Sequence, residues 1–283
     1  MKFEDFHTHN KLCRHAQGNI KDYIEAAIDK NLKTIGISDH FPYEIYSNME
    51  GIPYEEYSMT VKEIQKYLFT IQEAKKKYKK EINVRASFEV DFIINQVPVL
   101  NNILDNIKTQ LDYILGSIHV LYSERGPWCF DDSRFLGEFN NYESVNDVYL
   151  HYYNTMLEMV QEKAFDFDIV SHFDLPKKFN KRPEDDALIM DKIIEVLKQI
   201  KERELTIEIN TSGFRKEVGE QYPSMKIIQK IHELDIPIVL SSDAHNPKEV
   251  GYKFDFMIQK LKEIGFKKLA SFENRKRTFI QID

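Results

Sequence analysis

The chain has 283 residues, 42% of them hydrophobic, and its 39 basic against 46 acidic side chains give a formal charge of −7. That is apolar material for a large core, and no Pro-, Gly- or Ser-rich stretch divides it, so one barrel-sized domain over residues 1–283 is expected. A net negative protein is a poor general binder of nucleic acid or anionic membrane, which call for basic faces, whereas a small anionic substrate stays compatible if local cations attract it.

Met1-Lys2-Phe3-Glu4-Asp5 shows no apolar leader, and no run approaches the roughly 18 apolar residues of a membrane span. A cytoplasmic location follows as an expectation. The first apolar run closes at His7-Thr8-His9. Further short, nearly continuous apolar runs lie at Thr34–Ser38, Ile82–Phe88, Tyr113–Ile118, Asp168–Ser171, Leu205–Ile209 and Ile236–Ser241, as strands covered on both faces should read. Helical stripes separate them: Tyr57, Val61, Ile64, Leu68, Ile71, then Met190, Ile193, Leu197, Ile200, then Ile228, Ile231, Leu234 before Pro237. The charged stretch Glu73–Glu81 reads as a solvated helix end. Alternation of this kind predicts an α/β fold with a parallel sheet, closed into a barrel so that its first and last strands meet.

The strand ends carry the chemistry. Seven of the nine histidines, His7, His9, His15, His40, His119, His172 and His245, fall where predicted strands stop, together with Glu89, Asp39 and Asp243. The C-terminal mouth of a parallel barrel is where active sites form. An isolated strand-end histidine is ordinarily a hydrogen-bonded structural residue, but one ion needs only three or four protein ligands, so this many candidates predict several ions. Asp39, Asp91 and Asp174 are candidates for orienting the imidazoles from behind. His151 and His232 lie inside helical patterns and are read as packing residues, and Cys13 and Cys129, which form no close pair, as packed thiols. Arg125 and Trp128 fall in an irregular segment that is a candidate lid.

The motifs H-T-H at 7–9, His15, S-D-H at 38–40, Glu89, S-I-H at 117–119, S-H at 171–172 and S-D-A-H at 242–245 resemble the polymerase-and-histidinol-phosphatase (PHP) superfamily across nearly the whole chain. Glu208-Ile209-Asn210-Thr211-Ser212-Gly213-Phe214-Arg215-Lys216 with Tyr222-Pro223-Ser224 is similar to its histidinol-phosphate phosphatase branch. The resemblance implies a distorted seven-stranded (β/α)7 TIM-like barrel and three divalent or transition metal ions, with zinc, iron and manganese all open. It assigns His7, His9, Glu89 and Asp243 to the first ion, Glu89, His119 and His172 to the second, and His15, His40 and His245 to the third. The implied reaction is hydrolysis of a small phosphate monoester, histidinol phosphate. Phosphotyrosine, nucleic-acid ends and a non-catalytic metal-binding module are the alternatives. Arg215 is the first candidate for holding the phosphoryl group and Arg182 the second, for their bidentate forks. Asp39 is the one carboxylate offered as a catalytic side chain. Ser87, Ser117, Ser171 and Ser241, each just before a ligand, are expected to point away into packing, which leaves direct attack by water with no phosphoenzyme.

Overall fold

The computed structural model describes residues 2–46, 49–184 and 186–282. Its elements alternate as follows: β1 Glu4–Asp5, α1 Ile20–Asp29, β2 Thr34–Ile37, α2 Ile64–Tyr78, β3 Asn83–Ala86, β4 Glu89–Asp91, α3 Val97–Ile107 and β5 Leu115–Ser117. A hairpin of β6 Val120–Ser123 and β7 Gly126–Cys129 comes next. Then follow α4 Val145–Gln161, β8 Ile169–Val170, α5 Asp186–Glu202, β9 Thr206–Asn210, α6 Met225–Glu233, β10 Ile238–Ser241, α7 Phe254–Ile264 and the hairpin β11 Lys268–Glu273 with β12 Lys276–Gln281. Every predicted strand run contains a strand. The stripe that begins at Tyr57 becomes regular α-helix only at Ile64, after a 3-10 turn.

All pairs outside the two hairpins are parallel: β1-β2-β3 form one sheet and β10-β9-β8-β5-β4 another. Backbone hydrogen bonds join the sheets at two seams. At one, Phe6 N–H donates to Leu240 O (3.2 Å) and His9 N–H to Ala244 O (2.9 Å). At the other, the chain runs from β3 through Ser87-Phe88 into β4, where Glu89 N–H donates to Ser38 O (3.2 Å) and Leu115 N–H to Phe88 O (3.0 Å). Strands β2, β9 and β10 are buried on both faces, which is why they read as apolar runs rather than alternating ones, whereas β3 alternates, with Asn83 exposed.

The two antiparallel hairpins depart from the expected βα order. Arg125 and Trp128 belong to β6-β7 and its turn, so the expected irregular lid is instead a regular hairpin. Trp128 is buried against Phe130 and Phe139, and Gly126 supplies the positive φ (111°) that the tight turn requires. The β11-β12 turn uses Asn274 (φ 50°) and Arg275 (φ 60°), the left-handed pair of a two-residue hairpin loop. This second hairpin covers the end opposite the strand-end ligands. Phe272 and Ala270 pack with Phe6, Tyr113, Leu115, Ile169 and Val239, while Arg275 reaches Asp168 (2.6 Å) and Asp166 (2.9 Å). Among the described residues no helix is long and apolar enough to cross a membrane.

One glycine makes the interior possible. Tyr113 Oη donates to Phe6 O (2.5 Å), and a Cβ on Gly36 would sit 1.8 Å from that phenol oxygen and 3.2 Å from Phe6 Cα. Gly36→Ala is therefore expected to destabilise the fold by about 1–3 kcal/mol, the range for overpacking a core. The shift in the denaturant midpoint at unchanged slope measures it. A variant as stable as the parent contradicts this packing.

Candidate metal centre

Strand ends deliver the candidate ligands to one place. His7 and His9 follow β1, and because residues two apart in extended chain share a side, their Nε2 atoms converge to 2.9 Å. Glu89, the first residue of β4, is the common neighbour. Its Oε2 lies 3.1 Å from His7 Nε2, 3.4 Å from His9 Nε2 and 3.1 Å from His40 Nδ1, and its Oε1 lies 2.8 Å from His172 Nε2 and 3.5 Å from His119 Nε2. Asp243 Oδ1 is 3.3 Å from His9 Nε2 and 3.9 Å from His7 Nε2. His15 and His245 face each other at 3.0 Å through their Nε2 atoms, and His9, His40 and His245 form a further group of mutually close ring nitrogens. All nine sequence-predicted ligands thus line or adjoin one centre.

The donor set fits divalent ions. Ligand atoms bound at roughly 2.1 Å to a shared ion sit about 3 Å apart, and several of the separations above are of this size. The protonation pattern agrees for the two carboxylates, His40 and His245, whereas against burial the facing carboxylates raise His7, His9 and His119. Burial would raise the Glu89 carboxyl, but the facing imidazoles of His7, His40 and His119 and the His172 hydrogen bond hold it well below the usual range. Asp243 is likewise held down against burial by His7, His9 and His245. Burial, with neighbouring imidazoles, keeps His40 and His245 well below their ordinary values, so both are neutral lone-pair donors.

Carboxylates stand behind the imidazoles. Asp39 faces His9 Nδ1 (3.4 Å) from a fully buried position, its own N–H donating to Tyr67 Oη (3.0 Å). Asp91 accepts from His119 Nδ1 (3.0 Å) and from the Tyr43 hydroxyl. Burial opposes charge on His119, but Asp91 and Glu89 override it and hold the ring up to about 10. Asp174 does not reach an imidazole; it pairs with Lys177 (2.8 Å) and caps Ser224 N–H (2.8 Å). The partner behind His7 is instead Glu208, a residue the sequence reading left without a role: its Oε1 is 2.6 Å from His7 Nδ1, and its Oε2 accepts the His172 N–H (2.7 Å). An acid in the apolar strand Thr206–Asn210 was the available signal, since a buried charge requires partners.

The serines correct an expectation. Ser117 Oγ donates to Glu89 Oε1 (2.6 Å) and Ser241 Oγ to Glu208 Oε1 (2.5 Å), while Ser171 bonds Ser117 (2.5 Å). Ser117 and Ser241 point at the carboxylates rather than into apolar packing, and Ser171 reaches Glu89 only through Ser117, because a buried carboxylate needs donors and the strand-end serines are the nearest ones. Ser87 alone turns to its own chain, at Phe88 O.

The centre opens into a cavity of about 940 Å³. Its cationic wall holds Lys178, paired with Asp131 (2.9 Å), and Lys216, whose side-chain ammonium has no hydrogen-bond or ion-pair partner among the described residues. Lys216 is exposed at its surface, but desolvation of its ammonium toward the cavity, together with Lys178, lowers its pKa. Arg215 is not among the groups facing the cavity. Its Nη2 donates to Ser242 O (2.7 Å) and Asp243 O (3.2 Å), clamping the left-handed backbone (φ 48°) that presents Asp243. Arg182 is exposed and bonds Glu220 (2.6 Å), also outside the cavity wall. His151 bonds Tyr142 (2.8 Å) and His232 packs on Phe266, both away from the centre. Cys13 and Cys129 are buried free thiols, pushed up by burial, with Cys13 beside Asp39 and His9 and Cys129 on the cavity wall.

Comparison with known proteins gives a consistent picture. The PHP domain family matches over residues 5–212. The probable histidinol-phosphatase of Deinococcus radiodurans is 30% identical over 272 residues, spanning 96% of this chain and 97% of that protein. The histidinol-phosphatase of Bacillus subtilis is 26% identical over 268 residues, spanning 92% and 100%. A solved histidinol phosphate phosphatase from Lactococcus lactis, crystallised with zinc, L-histidinol and phosphate, shares the fold at a TM-score of 0.78 and 19% identity, covering 98% of this chain and 99% of its own.

Glu208→Gln keeps the size of the side chain and removes the charge that orients His7. Loss of such a partner is expected to weaken metal binding about 10–100-fold. Competition against a coloured chelator measures it, and an unchanged affinity contradicts the role given to Glu208.

Proposed function

The chain belongs to the PHP domain family, and from that premise we propose that it is a metal-dependent phosphatase that hydrolyses histidinol phosphate to histidinol and phosphate, in histidine biosynthesis. The observation that carries the reading is Glu89, a fully buried carboxylate within 3.5 Å of five imidazoles at the floor of a cavity whose wall holds two lysines. The two histidinol-phosphatase relatives, aligned over more than nine-tenths of this chain, support the substrate.

The ligand sets are those the family resemblance implies: His7, His9, Glu89 and Asp243; Glu89, His119 and His172; His15, His40 and His245. Three ions of zinc, iron or manganese held there would activate a water and neutralise the phosphoryl oxygens. The chain's own groups do the rest. Lys216, unpartnered, takes a phosphoryl oxygen, and Lys178 adds a second positive charge tempered by Asp131. Asp39, Asp91 and Glu208 fix imidazole orientation, which makes Asp39 a positioning residue rather than a nucleophile. Arg215 acts through Asp243 by holding its backbone, and Arg182 pairs with Glu220 outside the cavity wall. Burial keeps the Cys129 thiol protonated, and Ser212 spends its proton on Asp243 (3.1 Å), so a single in-line displacement with inversion at phosphorus is favoured over a phosphoenzyme.

The seven parallel segments, with β3 and β4 taken as one bent strand, act as one distorted barrel over residues 1–283, and the protein works in the cytoplasm on a small molecule rather than on nucleic acid or membrane.

In a phosphate-release screen of metabolite monoesters, histidinol phosphate is expected to give the highest kcat/KM. Faster hydrolysis of a phosphotyrosine peptide overturns the substrate. Lys216→Ala is expected to lower kcat/KM for histidinol phosphate by at least about tenfold, and Arg182→Ala to leave it within about twofold, since an exposed ion pair contributes little. The reverse order of effects returns the phosphate to Arg182.

A further inference from the structure

We infer that Glu55 is the specificity residue for the substrate's ammonium group, the wall carboxylate that separates an amino-alcohol phosphate from other phosphate monoesters. The inference rests on the reading of the cavity as a histidinol phosphate site. With the phosphate held at the metal floor, the ammonium, two carbons from the ester oxygen, projects toward the outer cavity and requires an anionic acceptor there.

Outside the ligand set the cavity presents four carboxylates: Glu55, Glu56, Asp131 and Asp132. Three are already neutralised. Asp131 pairs with Lys178 (2.9 Å), Asp132 with Arg134 (2.7 Å) and the Tyr57 hydroxyl, and Glu56 with the same Arg134 (2.8 Å). The other cavity arginine, Arg14, is engaged by Glu63. Glu55 alone has no hydrogen-bond or ion-pair partner among the described residues. Recruiting any of the other three to an ammonium means breaking an existing pair; recruiting Glu55 does not.

The turn that carries it lies beside the candidate ligand His15. Glu55 is the middle residue of the 3-10 turn Tyr54–Glu56, and the next residue, Tyr57, stands edge-on to the candidate ligand His15 with ring centroids 6.3 Å apart. Arg134 bridges that turn to the segment after β7 through Glu56 and Asp132. The cavity therefore has a charge order: metals and lysines for the phosphate, then one uncompensated carboxylate for a cation.

The test is steady-state kinetics of the metal-loaded protein and its Glu55→Gln variant on two substrates, histidinol phosphate and the imidazolylpropyl phosphate that lacks only the amine. Wild type should prefer the amine-bearing ester. Glu55→Gln should raise KM for histidinol phosphate by about five- to tenfold, the worth of one partly screened charge pair, with kcat little changed, and should leave the desamino ester unaffected. Equal losses on both substrates, or no loss on either, overturn the inference. A wild-type protein inactive on histidinol phosphate overturns the reading of the cavity itself, and that outcome is distinct from the other two.

Discussion

The structure depends on keeping one nearly buried carboxylate charged at the floor of the cavity. Glu89 is 2% exposed, and taking an isolated carboxylate into such a site costs several kcal/mol unless opposite charge and hydrogen bonds surround it. Five imidazoles from four strand ends and the Ser117 hydroxyl supply that surround. Each imidazole then needs its own orientation, which brings in the outer carboxylates Asp39, Asp91 and Glu208. The outer layer is in turn held by serines, backbone N–H groups and Asp5, which accepts from both the N–H and the hydroxyl of Ser242 (2.9 and 2.6 Å) and so links β1 to the turn before Asp243. A centre of this kind needs strands that run in parallel and end at one level, and it needs a dry floor, which the β11-β12 hairpin provides from below.

Charge is distributed along the cavity in a way that matches a zwitterionic phosphate ester. The overall charge of −7 gives no hint of this, because attraction of an anion here is local: the ions the floor is built to hold, then Lys216 and Lys178. Arg215 serves the same end indirectly. By clamping the carbonyls of Ser242 and Asp243 it stabilises a left-handed residue that would otherwise cost about 1–2 kcal/mol.

Much of this was legible in the chain because buried parallel strands announce themselves as short apolar runs and because ligands at their ends recur as acid and imidazole punctuation. The six runs from Thr34 to Ser241 each hold a strand, and the nine candidate ligands converge. What sequence did not carry was the direction of side chains and the partner each one finds. Arg215 looked like a phosphate clamp by type and position, yet its Nη2 is bound to backbone carbonyls and the residue does not line the cavity; Lys216, the next residue, lines it instead. Glu208 lay inside an apolar strand and its partner His7 is 201 positions away, so no local pattern joined them. The hairpin at Val120–Cys129 was masked by Gly126-Pro127, which reads as loop, and the closing hairpin turns on Asn274-Arg275, a weaker signal than Asn-Gly.

The central claim is that Glu89 is shared between ions rather than serving one. Elemental analysis of wild type and Glu89→Gln after identical loading with zinc, iron or manganese tests it directly, with circular dichroism to confirm that the variant is folded. A shared ligand predicts that the single substitution removes two equivalents of metal from a wild-type content of about three. Loss of one equivalent, or a wild type that holds one ion at saturation, would contradict the account.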